Sequence, residues 1–293
     1  MLKNIHIIIN PASGQDEPIL SQINRAFDGT EIKWDVSVTK EAGDAFKFAK
    51  EALTKDFDAI GVYGGDGSVV EVAEALFGHT TPLVILPGGT ANVLAKEFKV
   101  PMATEEALKF LNGSFVTKTI DMARCNGKLF IVRINTGFVA DMVANTDREL
   151  KDKIGQLAYG VTAVKAMAES TPYTYAITID GKQVLSEGVA LVITNCGNIG
   201  VTGMSYVPDI DMSDGLLDVL VIKRATVGSM VAMAGNALLQ KKPENEVDQW
   251  KAKKISVTIP EGQTVLCDDV EIQAKRLDIE ILPQAIRVLV PSI

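Results

Sequence analysis

The first half of the chain alternates two hydrophobic periods. Short runs rich in β-branched residues at 5–9, 34–39, 59–63 and 83–86 predict strands. Between them, residues 18–27, 43–53, the stretch that ends near Phe77, 93–98 and 105–111 carry apolar side chains at helical spacing, and a strand over 116–121 closes the series. In the second of these helices Ala45, Phe48, Ala49 and Leu53 mark the stripe to be buried. Strand and helix in alternation predict a parallel sheet flanked by helices.

Around Arg124 the texture changes. Residues 129–135 read as a strand and 141–170 as a helical stretch, and short strands follow at 173–179, 188–194, 217–222, 255–259, 264–266, 276–281 and 286–290. Asp180-Gly181, Pro208-Asp209, Asp214-Gly215 and Glu261-Gly262 supply turns. Many short strands joined in this way predict an antiparallel sandwich, interrupted by one helix over 227–239. The expected fold is therefore an α/β N-terminal domain with a parallel sheet over 1–124 and a β-rich C-terminal domain, an antiparallel sandwich, over 125–293.

A formal net charge of −8 removes the electrostatic basis for non-specific nucleic-acid binding, and no basic block offsets it. Cys125, Cys196 and Cys267 stand far apart, and with only His6 and His79 available a zinc site is not expected. The thiols read as those of a reduced, cytoplasmic compartment. The N-terminal apolar run is too short for a signal peptide. Residues 225–240 are the most membrane-like stretch, but they fall short of the ~20 residues a span needs and include Gly228, Gly235 and Asn236. No transmembrane segment is expected.

Candidate chemistry gathers where predicted strands stop. One ends in Gly64-Gly65-Asp66-Gly67-Ser68, with Glu71 in the helix that follows; the next ends in Pro87-Gly88-Gly89-Thr90-Ala91-Asn92. Glycines permit a sharp turn with φ > 0 and a close approach to something large, and the N–H groups of the turn and of the helix start attract anionic oxygens. A parallel sheet opens its ligand crevice at this edge, where Asn10-Pro11-Ala12-Ser13-Gly14 also falls. Asp66 is discordant, because a carboxylate repels phosphate unless a cation or water stands between them; the alternative is a tight turn in which Asp66 caps the helix. Neither GxGxxG nor GxxxxGK occurs. Residues 209–215 put Asp214 where an EF-hand loop needs its glycine, and Leu220 falls where it needs the bidentate glutamate.

Together, Asn10-Pro11-x-Ser13-Gly14, Gly64-Gly65-Asp66-Gly67-Ser68 with Glu71, Pro87-Gly88-Gly89-Thr90-x-Asn92, Ser213-Asp214-Gly215-Leu216-Leu217-Asp218 and Asp269-Val270-Glu271 resemble the diacylglycerol kinase catalytic-domain family. These are soluble lipid kinases, more distantly related to sphingosine and ceramide kinases. Gly-Gly-Asp-Gly is shared with NAD kinases and phosphofructokinases; its combination with Pro-Gly-Gly-Thr-x-Asn is the specific part. The resemblance implies an NAD kinase-like pair of domains with ATP between them, and a C-terminal end, 286–293, that returns to the first domain. It implies that Asn10, Pro11, Ser13, Gly14 and Thr39 touch the nucleotide. Gly64, Gly65, Asp66, Gly67, Ser68, Glu71 and Thr90 would hold the phosphates, with Gly88 and Gly89 allowing close approach. Asp214, with main-chain oxygens of Asp211 and Leu216, would bind a structural Mg²⁺.

By the same resemblance Asp269 is the general base, with Glu271 and Asp66 as its catalytic companions. The family's usual Asp-Gly-Glu reads Cys267-Asp268-Asp269-Val270-Glu271 here, so a valine replaces the glycine and Asp268 stands as an alternative base. The expected reaction is transfer of the γ-phosphate of Mg·ATP to a lipid hydroxyl, foremost that of diacylglycerol, by a cytoplasmic enzyme that meets the inner membrane surface transiently. Residues 225–240, with Met230, Val231, Met233, Leu238, Leu239 and the flanking Lys241-Lys242, are the candidate docking surface, against an ordinary core-facing helix. Competing readings are an NAD kinase-like or other small-molecule kinase and a non-catalytic lipid or nucleotide sensor. The acceptor lipid and the oligomeric state, a homodimer included, stay open.

Overall fold

The computed structural model describes residues 2–13, 17–144, 170–199, 205, 207–223, 246–268 and 270–292. The chain divides into two units: Met1–Met122 with Asn198–Met204 and Pro283–Ile293, and Ala123–Gly197 with Ser205–Leu282.

In the first unit β1 (Asn4–Ile9), α1 (Ile19–Phe27), β2 (Lys33–Val38), α2 (Asp44–Ala52), β3 (Ala59–Gly64), α3 (Asp66–Leu76) and β4 (Leu83–Pro87) follow in turn, then the short helices α4 (Val93–Glu97) and α5 (Thr104–Lys109). The four strands are parallel in the order β2-β1-β3-β4, with Ile5 level with both Trp34 and Ala59. All of β3 and β4 is buried, which is why both read as unbroken apolar runs. Helix α2 buries Ala45, Ala49 and Ala52, and α3 buries Val69, Val72, Ala73 and Leu76. The strand order reverses at β1, since β2 lies on one side of it and β3 on the other. Connections therefore leave the carboxyl ends of β1 and β3 in opposite directions, and a crevice opens between them.

In the second unit the chain forms β5 (Phe115–Cys125, whose last three residues belong here), β6 (Lys128–Phe130), β7 (Arg133–Gly137), α6 (Phe138–Ala144), β8 (Tyr173–Ile179), β9 (Lys182–Gly188), β10 (Ala190–Thr194) and β11 (Leu217–Ile222). There follow β12 (Val247–Ala252), β13 (Lys254–Thr258), β14 (Val265–Cys267), β15 (Val270–Glu271) and β16 (Arg276–Pro291). One antiparallel sheet runs β12-β11-β10-β7-β14-β15; in the other, the first half of β16 pairs with β13, β13 with β8 and β8 with β9. Phe130, Tyr175, Ile177, Ile193, Val219 and Leu277, drawn from both sheets, fill the space between them. A second cluster, including Val192, Leu220 and Ile222, covers the opposite face of β10 and β11, so those strands are buried on both sides. The far end of β16 belongs to the first unit, where Val288 and Leu289 pair in parallel with Leu83 and Val84 of β4.

Several boundaries differ from the hydrophobic pattern. The run 129–135 is split between β6 and β7, and 276–281 and 286–290 are one strand, β16, interrupted locally by Pro283 and by Gln284 at φ 53°. The helix expected from 141 starts at Phe138. Strand β12 carries Asp248, Gln249 and Lys251 in a six-residue run and shows no apolar alternation. The helix over 227–239, the docking stretch 225–240 with Lys241 and Lys242, and residues 145–169 lie outside the described residues. Among the described residues no helix is long and apolar enough to cross a membrane.

Candidate active site

At the end of β1 the Asn10 N–H donates to the Tyr63 carbonyl at 2.9 Å, binding the β1 and β3 termini together at the switch point. Its side chain donates from Nδ2 to Ser68 Oγ at 2.9 Å and accepts the Ala12 N–H at 3.0 Å, while Ser13 Oγ donates to the Asn10 carbonyl at 2.9 Å. Pro11 lies exposed in this loop, and Gly14 lies outside the described residues. Thr39 is buried just past β2, its N–H donating to the Ile9 carbonyl at 2.9 Å. Asn10, Ser13 and Thr39 thus assemble at adjoining strand ends of one sheet, and Ser68 meets Asn10 from the first turn of α3.

The two glycine turns pack backbone to backbone. A Cβ built on Gly89 would stand 2.5 Å from Gly65 Cα, one on Gly88 would stand 3.0 Å from the Tyr63 ring, and one on Gly64 would stand 2.8 Å from Ser68 Cβ. None of Gly64, Gly65, Gly67, Gly88 and Gly89 has a positive φ. Of the two uses expected for these glycines, φ > 0 and close approach, the structure shows close approach, at Gly64, Gly88 and Gly89. Gly67 has open space around its Cα and sits in the first turn of α3, which begins at Asp66. Its neighbours in that turn offer N–H groups that a helix leaves without internal partners.

The N-cap of α3 is Gly65, and Asp66 is the first residue of its first turn. Asp66 Oδ1 accepts the Val93 N–H at 2.7 Å, so the carboxylate that opens α3 also orients the start of α4. Asn92, at φ 47°, closes the second turn by donating to the Gly89 carbonyl at 2.6 Å and accepting its N–H at 2.9 Å. Thr90 is exposed on that turn. Both Glu71 oxygens are engaged, with the N–H groups of Gly43 at 3.0 Å and Ala45 at 3.2 Å, and anchor the start of α2. Lys96 was not singled out in the sequence, although it lies four residues after Asn92 on a helix that leaves a glycine turn. Burial lowers its pKa, and the opposing field of Asp66 does not make up the difference. A lysine in that position brings positive charge to a turn suited to phosphate.

In the second unit β14 and β15 form a hairpin with Leu266 opposite Glu271 and Cys267 opposite Val270. Asp268 begins its turn at φ 49°. Its carboxylate accepts three consecutive backbone N–H groups, those of Ile131 at 3.1 Å, Val132 at 3.0 Å and Arg133 at 2.9 Å. A carboxylate held this way anchors the hairpin to residues 131–133. Asp269 lies outside the described residues. Glu271 is exposed and accepts Gln273 Nε2 at 2.8 Å. Val270 is a strand residue without a positive φ, so the backbone does not require a glycine there.

The acidic turn before β11 is tightly bonded. Asp211 Oδ1 accepts Ser213 N–H and Oγ–H at 3.0 and 2.7 Å, and Asp214 Oδ1 accepts the Leu216 N–H at 2.9 Å. Lys251 Nζ on β12 lies 2.7 Å from Asp214 Oδ2, 3.0 Å from the Asp209 carbonyl and 3.8 Å from Asp218 Oδ2. Burial works against the charged lysine, but the hydrogen bond to Asp214 and the fields of Asp218, Asp214 and Asp211 outweigh it and raise its pKa. Among the described residues no group of three acidic, histidine or cysteine side chains is placed to hold a metal. Asp214, the one side chain expected to bind a structural Mg²⁺, does not fit a divalent ion as it stands, because the Lys251 ammonium already lies against its carboxylate.

A parallel sheet with two glycine turns at its switch point stands in one chain with an antiparallel sandwich. Residues 4–125 match the family model described as the diacylglycerol kinase catalytic domain, and 133–290 match that of the YegS C-terminal NAD kinase beta sandwich-like domain. The chain is 30% identical over 280 residues to a Bacillus subtilis (strain 168) protein named "Diacylglycerol kinase", covering 91% of this chain and 89% of that protein. It is 32% identical over 265 residues to a Pseudomonas aeruginosa (strain UCBPP-PA14) protein named "Probable lipid kinase YegS-like", with 88% and 84% covered. A crystal structure of a diacylglycerol kinase from Bacillus anthracis str. Sterne superposes with a TM-score of 0.81 at 27% identity, covering 99% of this chain and 97% of that one. The chain belongs to the diacylglycerol kinase family of lipid kinases.

Proposed function

We propose that this protein transfers the γ-phosphate of ATP to the primary hydroxyl of a membrane lipid, with diacylglycerol as acceptor and phosphatidic acid as product. The observation that carries the reading is the packing of two glycine turns at the switch point of a parallel sheet, where a Cβ on Gly89 would come within 2.5 Å of Gly65. Bare backbone at this edge is what a polyphosphate needs.

On this reading Asn10, Pro11, Ser13, Gly14 and Thr39 bound the nucleotide, and the N–H groups from Gly64 to Ser68 with Thr90 face its phosphates. Asp66 and Glu71 act by setting the turns and helix starts. Lys96 adds charge where the phosphates lie. Mg²⁺ bound with the nucleotide supplies neutralisation of phosphate charge. Asp269 accepts the proton of the lipid hydroxyl as it attacks, and Glu271 shares its hairpin; Asp268 fixes that hairpin and leaves the base role to its neighbour. Loss of the proton and bonding of the hydroxyl oxygen to the γ-phosphorus accompany departure of ADP. The lipid is drawn from a membrane surface, which the protein meets transiently.

Transfer from radiolabelled ATP to diacylglycerol in mixed micelles tests the reading, with phosphatidylglycerol, sphingosine and NAD as parallel acceptors. Label is expected in phosphatidic acid. Asp269→Asn is expected to lower turnover by roughly 10²–10⁴-fold with an unchanged melting temperature. Labelling of NAD alone, or comparable turnover by the variant, overturns it.

A further inference from the structure

The turn that the family resemblance assigns to a metal contains its own cation. Asp209, Asp211, Asp214 and Asp218 place four carboxylates within ten residues. The register of β11 on β12 sets Asp218 directly opposite Lys251. From there the lysine reaches the turn, with Nζ 2.7 Å from Asp214 Oδ2, 3.0 Å from the Asp209 carbonyl and 3.8 Å from Asp218 Oδ2. Two oxygens of the turn lie within hydrogen-bond distance of the one nitrogen, and the Asp218 carboxylate at the start of β11 adds its charge at 3.8 Å. The Asp218 side chain is 2% exposed, and its Oδ1 accepts Gln249 Nε2 at 2.7 Å, so the array rests on a buried floor and not on a loose surface pair.

A divalent ion on the same oxygens would need ligand distances of about 2.0–2.6 Å. The ammonium and a metal cannot both occupy the place. We propose that Lys251 is the resident cation of the 209–218 turn, standing where a divalent ion would bridge Asp214, the Asp209 carbonyl and Asp218, and that removing it exposes a site for that ion. The turn therefore keeps its shape in this chain without metal.

The test is made without nucleotide or lipid, so its outcome does not depend on the kinase reading. Trp250 borders the same depression, alongside Pro208, Asp209, Gln249 and Lys251, and serves as an antenna for terbium. Melting temperature is read in EDTA and in millimolar calcium or magnesium, and terbium luminescence is excited through tryptophan. The wild type is expected to melt equally in both solutions and to give no saturable terbium signal. Lys251→Met is expected to melt lower in EDTA, to recover by about 5 °C when the ion is well above its Kd, and to bind terbium saturably. Adding Asp214→Asn should abolish both responses. Lys251→Gln, which retains a polar contact to Asp214, repeats the comparison should the methionine variant fold poorly. Asp214-dependent metal stabilisation of the wild type overturns the proposal, as does a failure of divalent ions to restore either variant.

Discussion

Gly89 illustrates how much a missing side chain can decide. Its Cα faces Gly65, and the added methyl of an alanine would strike backbone atoms that have no rotamer by which to escape. Gly89→Ala is expected to cost about 1–3 kcal/mol in urea unfolding and to abolish ATP binding measured by calorimetry. Gly67→Ala is the contrast, because its Cβ meets nothing within 4 Å and lies in a helix. That variant should hold or gain stability, by up to about 1 kcal/mol. Both positions were visible in the sequence as members of glycine turns. Which of them is sterically obligatory was not, because the obstacle at Gly89 is another turn more than twenty residues earlier in the chain.

Among the elements, the β14–β15 hairpin shows how a local motif is set by a distant anchor. Two adjacent aspartates offered two candidate bases, and only the family's Asp-x-Glu spacing favoured Asp269 over Asp268. The three N–H groups that converge on Asp268 come from residues 131–133. Asp268→Asn loses the charge and turns an amide donor toward one of those N–H groups. It is expected to destabilise by about 3 kcal/mol in urea unfolding and to lower turnover through displacement of the hairpin, whereas Asp269→Asn lowers turnover alone. Glu71 is a parallel case, where a residue read as a phosphate neighbour anchors the start of α2. Strand β12 escaped notice for a related reason. Gln249 and Lys251 reach Asp218 on β11 and Asp248 pairs with Ser186 on β9, and the pattern of a single strand does not record that.

At the level of the molecule, the two units share strands. β5 passes from the first into the second at Met122, and β16 passes back at Pro283. Neither unit can lose its sheet without disturbing a strand of the other, so a single cooperative transition is expected. The thiols report on it, since Cys125, Cys196 and Cys267 are all buried and all belong to the second unit. Burial, with a smaller contribution from Asp278, pushes the Cys125 thiol up to about 11, which suppresses the reactive thiolate. Labelling by a disulfide reagent should be negligible in native protein and should rise with the same urea midpoint as the loss of far-UV dichroism. Early labelling, ahead of the dichroism, would mean that the second unit opens alone.

The linear chain by itself determined the alternation of strand and helix in the first unit, the strand-rich character of the second and the motifs that name the family. Hydrophobic period and glycine turns are local properties, and neighbours in sequence express them. Tertiary structure alone decided the partners of the charged groups: Asp66 on Val93, 27 residues away, Asp214 on Lys251, 37 away, and Asp268 on Ile131, 137 away. A carboxylate has the same composition whether it holds a metal, a lysine or a strand of N–H groups. Only folding chooses among them, because the choice depends on which donor the sheets bring within 3 Å.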